Sequence, residues 1–134
     1  EEIEGYSLFK QACCATCHVG ENLGGQSYEL MGLRADYFGD RGTELTFEDN
    51  GRNKETKLER DIHRFKVPGL RNVALTAPYF HDGTQVTLED AVKAMGKYES
   101  GVEFDDAQVA KIVAFLKSLT GKYKGAVLTN DNLK

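Results

Sequence analysis

Three cysteines and a histidine lie within six consecutive positions near the start of the chain. Cys14 and Cys17 are followed directly by His18, which gives the pattern C-x-x-C-H. In this pattern two thiols add to the vinyl groups of a haem, and the short covalent tether holds the adjacent histidine at the iron. The pattern occurs once, so it predicts one covalently attached haem c. Cys13 lies outside it and is interpreted as an unmodified thiol.

A structural zinc site is the alternative interpretation of the cysteine cluster. Zinc in such sites takes four tetrahedral ligands, usually supplied as two closely spaced pairs. The remaining candidates, Cys13, His63 and His81, provide no second close pair. The ligand spacing therefore favours haem over zinc.

An electron-transfer haem needs a second axial ligand, and the sequence offers Met31, Met95, His63 and His81. Met95 is preferred because it ends a short amphipathic pattern far from the cysteines, whereas Met31 follows His18 closely in a glycine-rich segment. The competing interpretation of Met95 is a core methionine that fills a gap. His63 lies in a charged run and is interpreted as a solvated residue, and His81 as a structural histidine.

Helical patterns flank these candidate ligands. Residues 3–15 place apolar side chains at helical spacing and predict a first helix that runs into the cysteines. Thr87 begins a capping box and predicts a helix over residues 88–95. Asp105 opens a final helix with apolar residues every three or four positions, and Gly121 is expected to end it.

The segments between the helices have weaker patterns. Over residues 19–66 no helical or strand period persists, which is typical of a long region that wraps around a ligand. A short helix near residues 27–33 is the one element expected there. Residues 65–84 contain both prolines and are expected to be mostly extended. The polar tail, residues 122–134, is expected to pack loosely.

The composition fits a single domain over residues 1–134. The chain has 40% hydrophobic residues and a formal net charge of -4. It contains no run of five basic residues and no apolar run near the roughly 20 residues that span a bilayer. We therefore expect neither nucleic acid nor a membrane as a partner. The predicted fold is mainly α, with long haem-wrapping loops.

Three segments occur in the order that a known family shows. They are Cys14-Ala-Thr-Cys17-His18-Val-Gly, then residues 65–83 with Thr76-Ala-Pro78-Tyr-Phe-His-Asp-Gly, and then Thr87-Leu-Glu-Asp-Ala-Val with Met95. On these segments the chain resembles the C-terminal domain of the bacterial di-haem cytochrome c peroxidases and their MauG-type relatives. The resemblance covers most of the first 95 residues and implies a single-domain, class I-like cytochrome c fold.

The resemblance carries expectations for individual residues. In that family the methionine matching Met95 is the distal ligand of the high-potential haem, whereas MauG-type members have a tyrosine there. The enzymes reduce peroxide in a second haem domain, and this sequence has only one C-x-x-C-H. The family also holds a calcium ion between its domains, partly through main-chain oxygens that match Thr76 and Pro78. Because the second domain is missing from this sequence, calcium is left as an alternative and is not an expected cofactor.

The sequence therefore predicts a monohaem electron carrier, rather than an enzyme, with His18 and Met95 on the iron. Its partners are expected to be redox proteins, and a homodimer stays open. Haem c is attached outside the cytoplasm, so a periplasmic or equivalent exported location is expected, with the export signal already removed. The alternatives are a peroxidase or peroxidase subunit with a labile distal ligand, or a haem-based gas or redox sensor.

Arg71 is the last candidate site residue. A buried haem propionate needs a charge-assisted partner, and a guanidinium group can supply two parallel hydrogen bonds. Arg71 lies between the two prolines and is expected within reach of a propionate. The competing interpretation is a surface arginine paired with a nearby acidic side chain.

Overall fold

The computed structural model of the protein describes residues 1–132. In this part of the chain, five α-helices alternate with short strands and single helical turns. The helices are α1 (Glu2–Gln11), α2 (Tyr37–Arg41), α3 (Asn53–Thr56), α4 (Leu88–Met95) and α5 (Asp106–Ser118), and the strands are β1 (Tyr28–Leu30), β2 (Arg64–Lys66), β3 (Lys122–Tyr123) and β4 (Ala126–Val127). No helix among the described residues is long and apolar enough to cross a bilayer.

The first and last helices pack closely against each other. Gly5 of α1 makes this possible, because a Cβ atom there would overlap the carbonyl oxygen of Lys111 in α5. The rings of Tyr6 and Phe9 then lie 5.2 and 5.3 Å from the ring of Phe115. The crossing fixes the end of α1, from which the cysteine segment continues.

The main core lies between α1, α4, α5 and the segment that precedes α4. Its members are the buried side chains Phe9, Leu70, Leu88, Val92, Val109, Ile112, Val113, Phe115 and Leu116. Most of them come from α5, which agrees with the apolar spacing of that helix in the sequence. Burial of this apolar surface is the main force that holds the helices together.

The two predicted caps are present. The Thr87 hydroxyl accepts a hydrogen bond from the Asp90 amide at 3.0 Å, and α4 spans residues 88–95 as expected. Asp105 and Gln108 form a reciprocal capping box at the start of α5, with hydrogen bonds of 2.8 and 3.0 Å. Helix α5 ends at Ser118, before the glycine that was expected to end it.

The long region after the cysteines is more regular than its sequence indicates. The helix expected near residues 27–33 is wrong, because Tyr28–Leu30 form β1 and pair with β2 in antiparallel register. Inter-strand hydrogen bonds satisfy the backbone here, which a local sequence pattern cannot reveal. Residues 65–84 are extended only in part, since Val73–Leu75 form a 3-10 turn. The tail forms the exposed hairpin β3–β4, and its last two residues lie outside the described part.

A buried ion network organises the same region. Asp49 is 1% exposed and accepts hydrogen bonds from both terminal nitrogens of Arg41 at 2.9 and 2.7 Å. It also accepts from the Thr46 amide and from His81 Nε2, each at 2.7 Å. Arg41 donates in addition to Asp82 at 3.0 Å. The network joins α2 to the segment that leads into α4.

His63 and His81 both contact this network. His63 was expected to be solvated, and this is wrong: its Nδ1 lies 2.7 Å from the Asp49 carbonyl oxygen and its ring stacks on Phe38 at 4.2 Å. His81 is a structural histidine as expected, with its ring stacked on Phe65 at 4.2 Å. The contacts of His63 come from residues that are distant in the sequence. Its charged neighbours in the chain therefore give no indication of them.

Replacement of Asp49 tests the network. Asp49→Asn leaves Arg41, whose side chain is 11% exposed, without its bidentate partner. We expect the free energy of unfolding to fall by about 3 kcal/mol, measured by urea denaturation of the haem-loaded protein. Asp106→Asn is the matched control, because the Asp106 side chain is 93% exposed and its surface ion pair contributes little. Equal effects of the two substitutions would contradict the structural role of Asp49.

The same variant has a defined pH dependence. The Arg41 guanidinium, with the Thr46 amide and His81, holds the pKa of Asp49 well below its ordinary value. The stabilisation is therefore present above the ordinary pKa of about 4 and is lost as the pH falls below it. Asp49→Asn should remove this part of the acid sensitivity, so the two proteins should differ most near neutral pH.

Candidate functional site

The cysteine segment forms one tight turn at the end of α1. Cys14–Thr16 make a 3-10 turn, and the amides of Cys17 and His18 both donate to the Cys14 carbonyl oxygen, at 3.3 and 3.1 Å. Cys14 packs against the main core, whereas Cys13 is exposed and takes a left-handed conformation with φ of 62°. The turn places both attachment thiols and the imidazole in one compact unit and leaves Cys13 outside it.

The imidazole of His18 is oriented by backbone oxygens. Its Nδ1 lies 3.0 Å from the Leu23 carbonyl oxygen. Burial lowers the pKa of His18, although the Leu23 and Pro68 carbonyls partly oppose this. A neutral ring that donates its Nδ1 proton to a carbonyl keeps a lone pair on Nε2, which is the form an iron ligand needs. The ring of Phe9 in α1 lies 6.1 Å from it.

The loop that carries Leu23 is held by close backbone packing. Gly24 has φ of +141°, and a Cβ atom there would overlap the Pro68 carbonyl oxygen. The Gly25 amide donates to the Val67 carbonyl at 2.6 Å, and the Leu70 amide donates to this loop in return. Only glycine allows this approach, so residues 67–70 fix the carbonyl that orients His18.

The side chains around the two thiols do not provide a zinc site. Burial raises the pKa of both Cys14 and Cys17. In the described part of the chain, the only group of three potential metal-binding side chains is Asp49, His81 and Asp82. Arg41 already pairs with both carboxylates there. That group is an ion network, and the zinc alternative at the cysteines has no fourth ligand.

Met95 ends α4 in a position suited to a ligand. Leu88 and Val92 on the same helix are buried in the main core. Met95 is half-buried, and among the described residues it is not one of the side chains packed against that core. The chain then enters a π-helical turn, Gly96–Ser100, in which a Cβ atom on the first glycine would crowd the ring of Phe104. Met95 therefore lies outside the main core, and its role as an iron ligand stays a prediction.

Of the other candidate iron ligands, the two histidines are hydrogen-bonded and Met31 lines an open cleft. Met31 follows β1 and lines an open cleft of about 700 Å³ together with His63. The Met31 amide donates to the His63 carbonyl at 2.9 Å. The Nδ1 atom of His63 and the Nε2 atom of His81 are both hydrogen-bonded to Asp49.

Arg71 donates a hydrogen bond to the loop after the cysteines and is not paired with an acidic side chain among the described residues. Its Nε donates to the Glu21 carbonyl oxygen at 2.7 Å, and the residue is exposed. No ion pair involves Arg71 within residues 1–132. The expected contact with a haem propionate stays a prediction.

Sequence reasoning missed three contributors to the site. The Leu23 carbonyl orients the imidazole, the Pro68 carbonyl opposes the fall that burial causes in the pKa of His18, and the charge of the half-buried Glu99 adds to the rise that burial causes in the pKa of Cys17. Backbone oxygens have no side-chain signature. Glu99 looks like any surface acid in the sequence, and only its position one turn after Met95 could have marked it.

The donor set as a whole fits a haem c. Two thiols lie on one turn, an imidazole held at Nδ1 by a carbonyl adjoins them, and a half-buried thioether lies apart from the main core. A soft thioether and an imidazole are the axial pair of electron-transfer cytochromes. The residues therefore fit the group that the C-x-x-C-H pattern predicts.

Comparisons with known proteins agree with this geometry. Residues 3–120 match the family described as cytochrome c. The chain is 55% identical over 124 residues to the cytochrome c peroxidase Ccp of Escherichia coli K12, covering 92% of this chain and 26% of that protein. It is 49% identical over 121 residues to the cytochrome c551 peroxidase of Nitrosomonas europaea, covering 90% of this chain and 34% of that protein.

A solved structure shows the same fold. A MauG-like protein associated with microbial copper homeostasis superimposes with a TM-score of 0.70 at 26% identity, covering 90% of this chain and 47% of that one. The chain spans about a third or less of the two peroxidases. The resemblance and the fold class predicted from the sequence are confirmed. The chain belongs to the cytochrome c family, which implies a covalently bound haem c, and bacterial cytochrome c peroxidases and MauG-like proteins are among its relatives.

Proposed function

We propose that this chain is a monohaem electron-transfer domain with His18 and Met95 as the axial ligands. The observation that carries the proposal is the orientation of His18, whose Nδ1 is held by the Leu23 carbonyl at 3.0 Å. When bound, haem c supplies a one-electron iron couple. Cys14 and Cys17 attach it, and His18 offers Nε2 as the proximal ligand.

Met95 supplies the second axial ligand in this proposal. A thioether is a soft donor that favours ferrous over ferric iron and so raises the reduction potential. Saturation of both axial positions also excludes peroxide and small ligands from the iron. These properties suit a carrier of single electrons.

A peroxidase subunit with a labile Met95 is the second candidate, and the names of the relatives favour it. Heterolytic peroxide chemistry needs a general acid or base that can reach the bound oxygen atoms. Glu99 is the first carboxylate after Met95 in the sequence, and it already accepts a hydrogen bond from the Gly32 amide at 2.7 Å. Because this carboxylate has a partner in the protein, the electron carrier is favoured over the enzyme. A gas or redox sensor would require exchange of Met95.

Redox proteins are the proposed partners, and a periplasmic or equivalent exported compartment is the proposed location. Both follow from the chemistry, because haem c is attached outside the cytoplasm and a saturated iron has only electrons to exchange. Calcium at Thr76 and Pro78 is not part of the proposal. Calcium takes six to eight oxygen ligands, and two main-chain oxygens supply too few of them.

Arg71 is proposed to pair with a haem propionate. Its Nε is anchored by the Glu21 carbonyl, which leaves the two terminal nitrogens to a carboxylate. Arg71→Gln should lower the reduction potential, since an unpaired propionate stabilises ferric iron. Voltammetry of this variant beside Arg60→Gln, an exposed control, measures the effect. Equal potentials in both variants would contradict the pairing.

Haem attachment can be checked by intact-mass analysis. The wild-type chain should carry the mass of one haem, and Cys14→Ser or Cys17→Ser should weaken attachment. Cys13→Ser is the matched control and should keep the haem, because Cys13 is exposed and lies outside the turn. Loss of haem from the Cys13 variant alone would show that the attachment register is wrong.

Ligation by Met95 can be checked spectroscopically. The oxidised protein should show the weak far-red charge-transfer band of methionine-ligated ferric haem, and the reduced protein should not bind carbon monoxide. Met95→Ala should abolish the band and open the iron to carbon monoxide, and Met95→His should lower the potential.

Met31→Ala is the control for this experiment, since the chain contains only these two methionines. It should leave the band in place. A wild-type protein that is high-spin and binds carbon monoxide readily would contradict the ligand assignment and favour the peroxidase or sensor.

A further inference from the structure

The turn that follows Met95 is hydrogen-bonded to a segment at least 57 positions earlier in the chain. The turn is π-helical and spans Gly96–Ser100, and the segment is residues 32–41, which end with α2. Two backbone amides of the segment donate hydrogen bonds to the turn, at 2.7 and 2.8 Å. The pairs are Gly32 with the Glu99 side chain and Arg34 with the Tyr98 carbonyl oxygen.

The side chain of Asp40 in α2 makes two more of these contacts. Its Oδ2 atom accepts a hydrogen bond from Lys97 Nζ at 2.6 Å and from the Tyr98 hydroxyl at 3.1 Å. The Tyr98 ring also meets the ring of Tyr37 edge to face, with the centroids 5.2 Å apart. Asp40 therefore binds two consecutive residues of the turn through one oxygen atom.

Helix α2 is itself held by the buried ion network. Arg41, the residue after Asp40, donates to Asp49 at 2.9 and 2.7 Å and to Asp82 at 3.0 Å. Tyr37 is 3% exposed, and its hydroxyl donates to Asp82 at 2.7 Å. The network thus fixes the helix on both sides of Asp40, so this carboxylate is presented to the turn from a firm support.

Met95 lies between this turn and the core-facing part of α4. Before Met95, the side chains of Leu88 and Val92 are buried in the main core. Helix ends open locally at a small cost in free energy, whereas core positions open only when the protein unfolds. Displacement of Met95 therefore requires the last part of α4 and the turn after it to open, and the contacts with residues 32–41 oppose that opening.

The exposure of the Asp40 contact separates its local effect from its global effect. The Asp40 and Lys97 side chains are each 46% exposed, so their ion pair contributes little to the free energy of unfolding. Local opening is a different process, because only the contacts broken in that opening oppose it. The Asp40 contacts are broken when the turn opens, while the main core stays intact.

We propose that Asp40 is a positioning residue that keeps Met95 on the iron. This inference rests on the proposed electron-transfer function. Asp40 holds the turn after the ligand, so the thioether leaves the iron only when the turn opens. Loss of the Asp40 contacts makes the sixth position exchangeable and admits small ligands such as peroxide. The contact thus favours a saturated electron carrier over a reactive haem.

The test is the rate at which cyanide displaces Met95 from the ferric, haem-loaded protein. At high cyanide concentration the observed rate becomes independent of concentration and equals the rate at which the methionine leaves. Loss of the far-red charge-transfer band reports the displacement. Asp40→Ala should raise this limiting rate about fivefold, the upper end of what a surface ion pair contributes.

Asp106→Ala is the matched control. Asp106 pairs with Lys93 at 2.8 Å, and Lys93 lies two positions before Met95 as Lys97 lies two positions after it. The substitution removes the same charge and the same kind of ion pair but leaves the turn intact, so the limiting rate should not change. A wild-type limiting rate in Asp40→Ala, or an equal increase in both variants, would overturn the proposal.

Tyr98→Phe is a second variant that changes no charge. It removes one hydrogen bond to Asp40 and keeps the ring that packs on Tyr37. It should raise the limiting rate in the same direction as Asp40→Ala, by a smaller factor. A limiting rate equal to that of the wild type in both of these variants would show that the contacts of Asp40 do not hold Met95.

Hydrogen exchange gives a readout that does not depend on the iron. The Arg34 amide is bonded to the turn, so its exchange rate reports opening of the turn. This rate should rise about fivefold in Asp40→Ala and stay at the wild-type value in Asp106→Ala. Unchanged exchange at Arg34, or acceleration throughout the chain that indicates global destabilisation, would also overturn the proposal.

The two levels of proposal can fail separately. A wild-type protein without the far-red band, or one whose cyanide binding accelerates without limit as the concentration rises, would reject ligation by Met95 and with it the proposed function. A band present in every variant, with equal limiting rates, would reject only the role of Asp40.

Discussion

The hydrogen bond between His18 Nδ1 and the Leu23 carbonyl is the interaction on which the site depends. It selects the neutral tautomer that leaves Nε2 available, and it sets the direction of the ring. The carbonyl is itself placed by the close contact of Gly24 with Pro68. The proximal side of the site is thus built from backbone packing between two loops, with α1 and α5 as the rigid support.

The position of the proposed second ligand depends on one helix end. Thr87 fixes where α4 begins, and the core contacts of Leu88 and Val92 fix which face it buries. Met95 then falls at the last position, where the chain leaves the core and enters the π-helical turn. The proposed second iron ligand therefore lies at the junction between a regular helix and an irregular turn.

Features that depend on neighbouring residues could be predicted from the sequence. Features that depend on contacts between residues distant in the chain could not. The caps at Thr87 and Asp105 located the starts of two helices, because a side chain and the amide three residues later form each cap. Residues 27–33 were predicted as a helix, but their partner strand lies more than thirty positions away. His63 looked solvated for the same reason, since its stacking and hydrogen-bonding partners are remote in sequence. The covalent haem c that the family implies was predictable, because the spacing of Cys14, Cys17 and His18 alone indicates it.

The central claim is that one imidazole and one thioether saturate the iron. X-ray absorption at the iron edge tests it most directly, because the method counts and identifies the coordinating atoms in both oxidation states. The account predicts six-coordinate iron with one sulfur ligand in the oxidised and the reduced protein, and loss of that sulfur in Met95→Ala. Five-coordinate iron, or a first shell without sulfur in the unmodified protein, would contradict it.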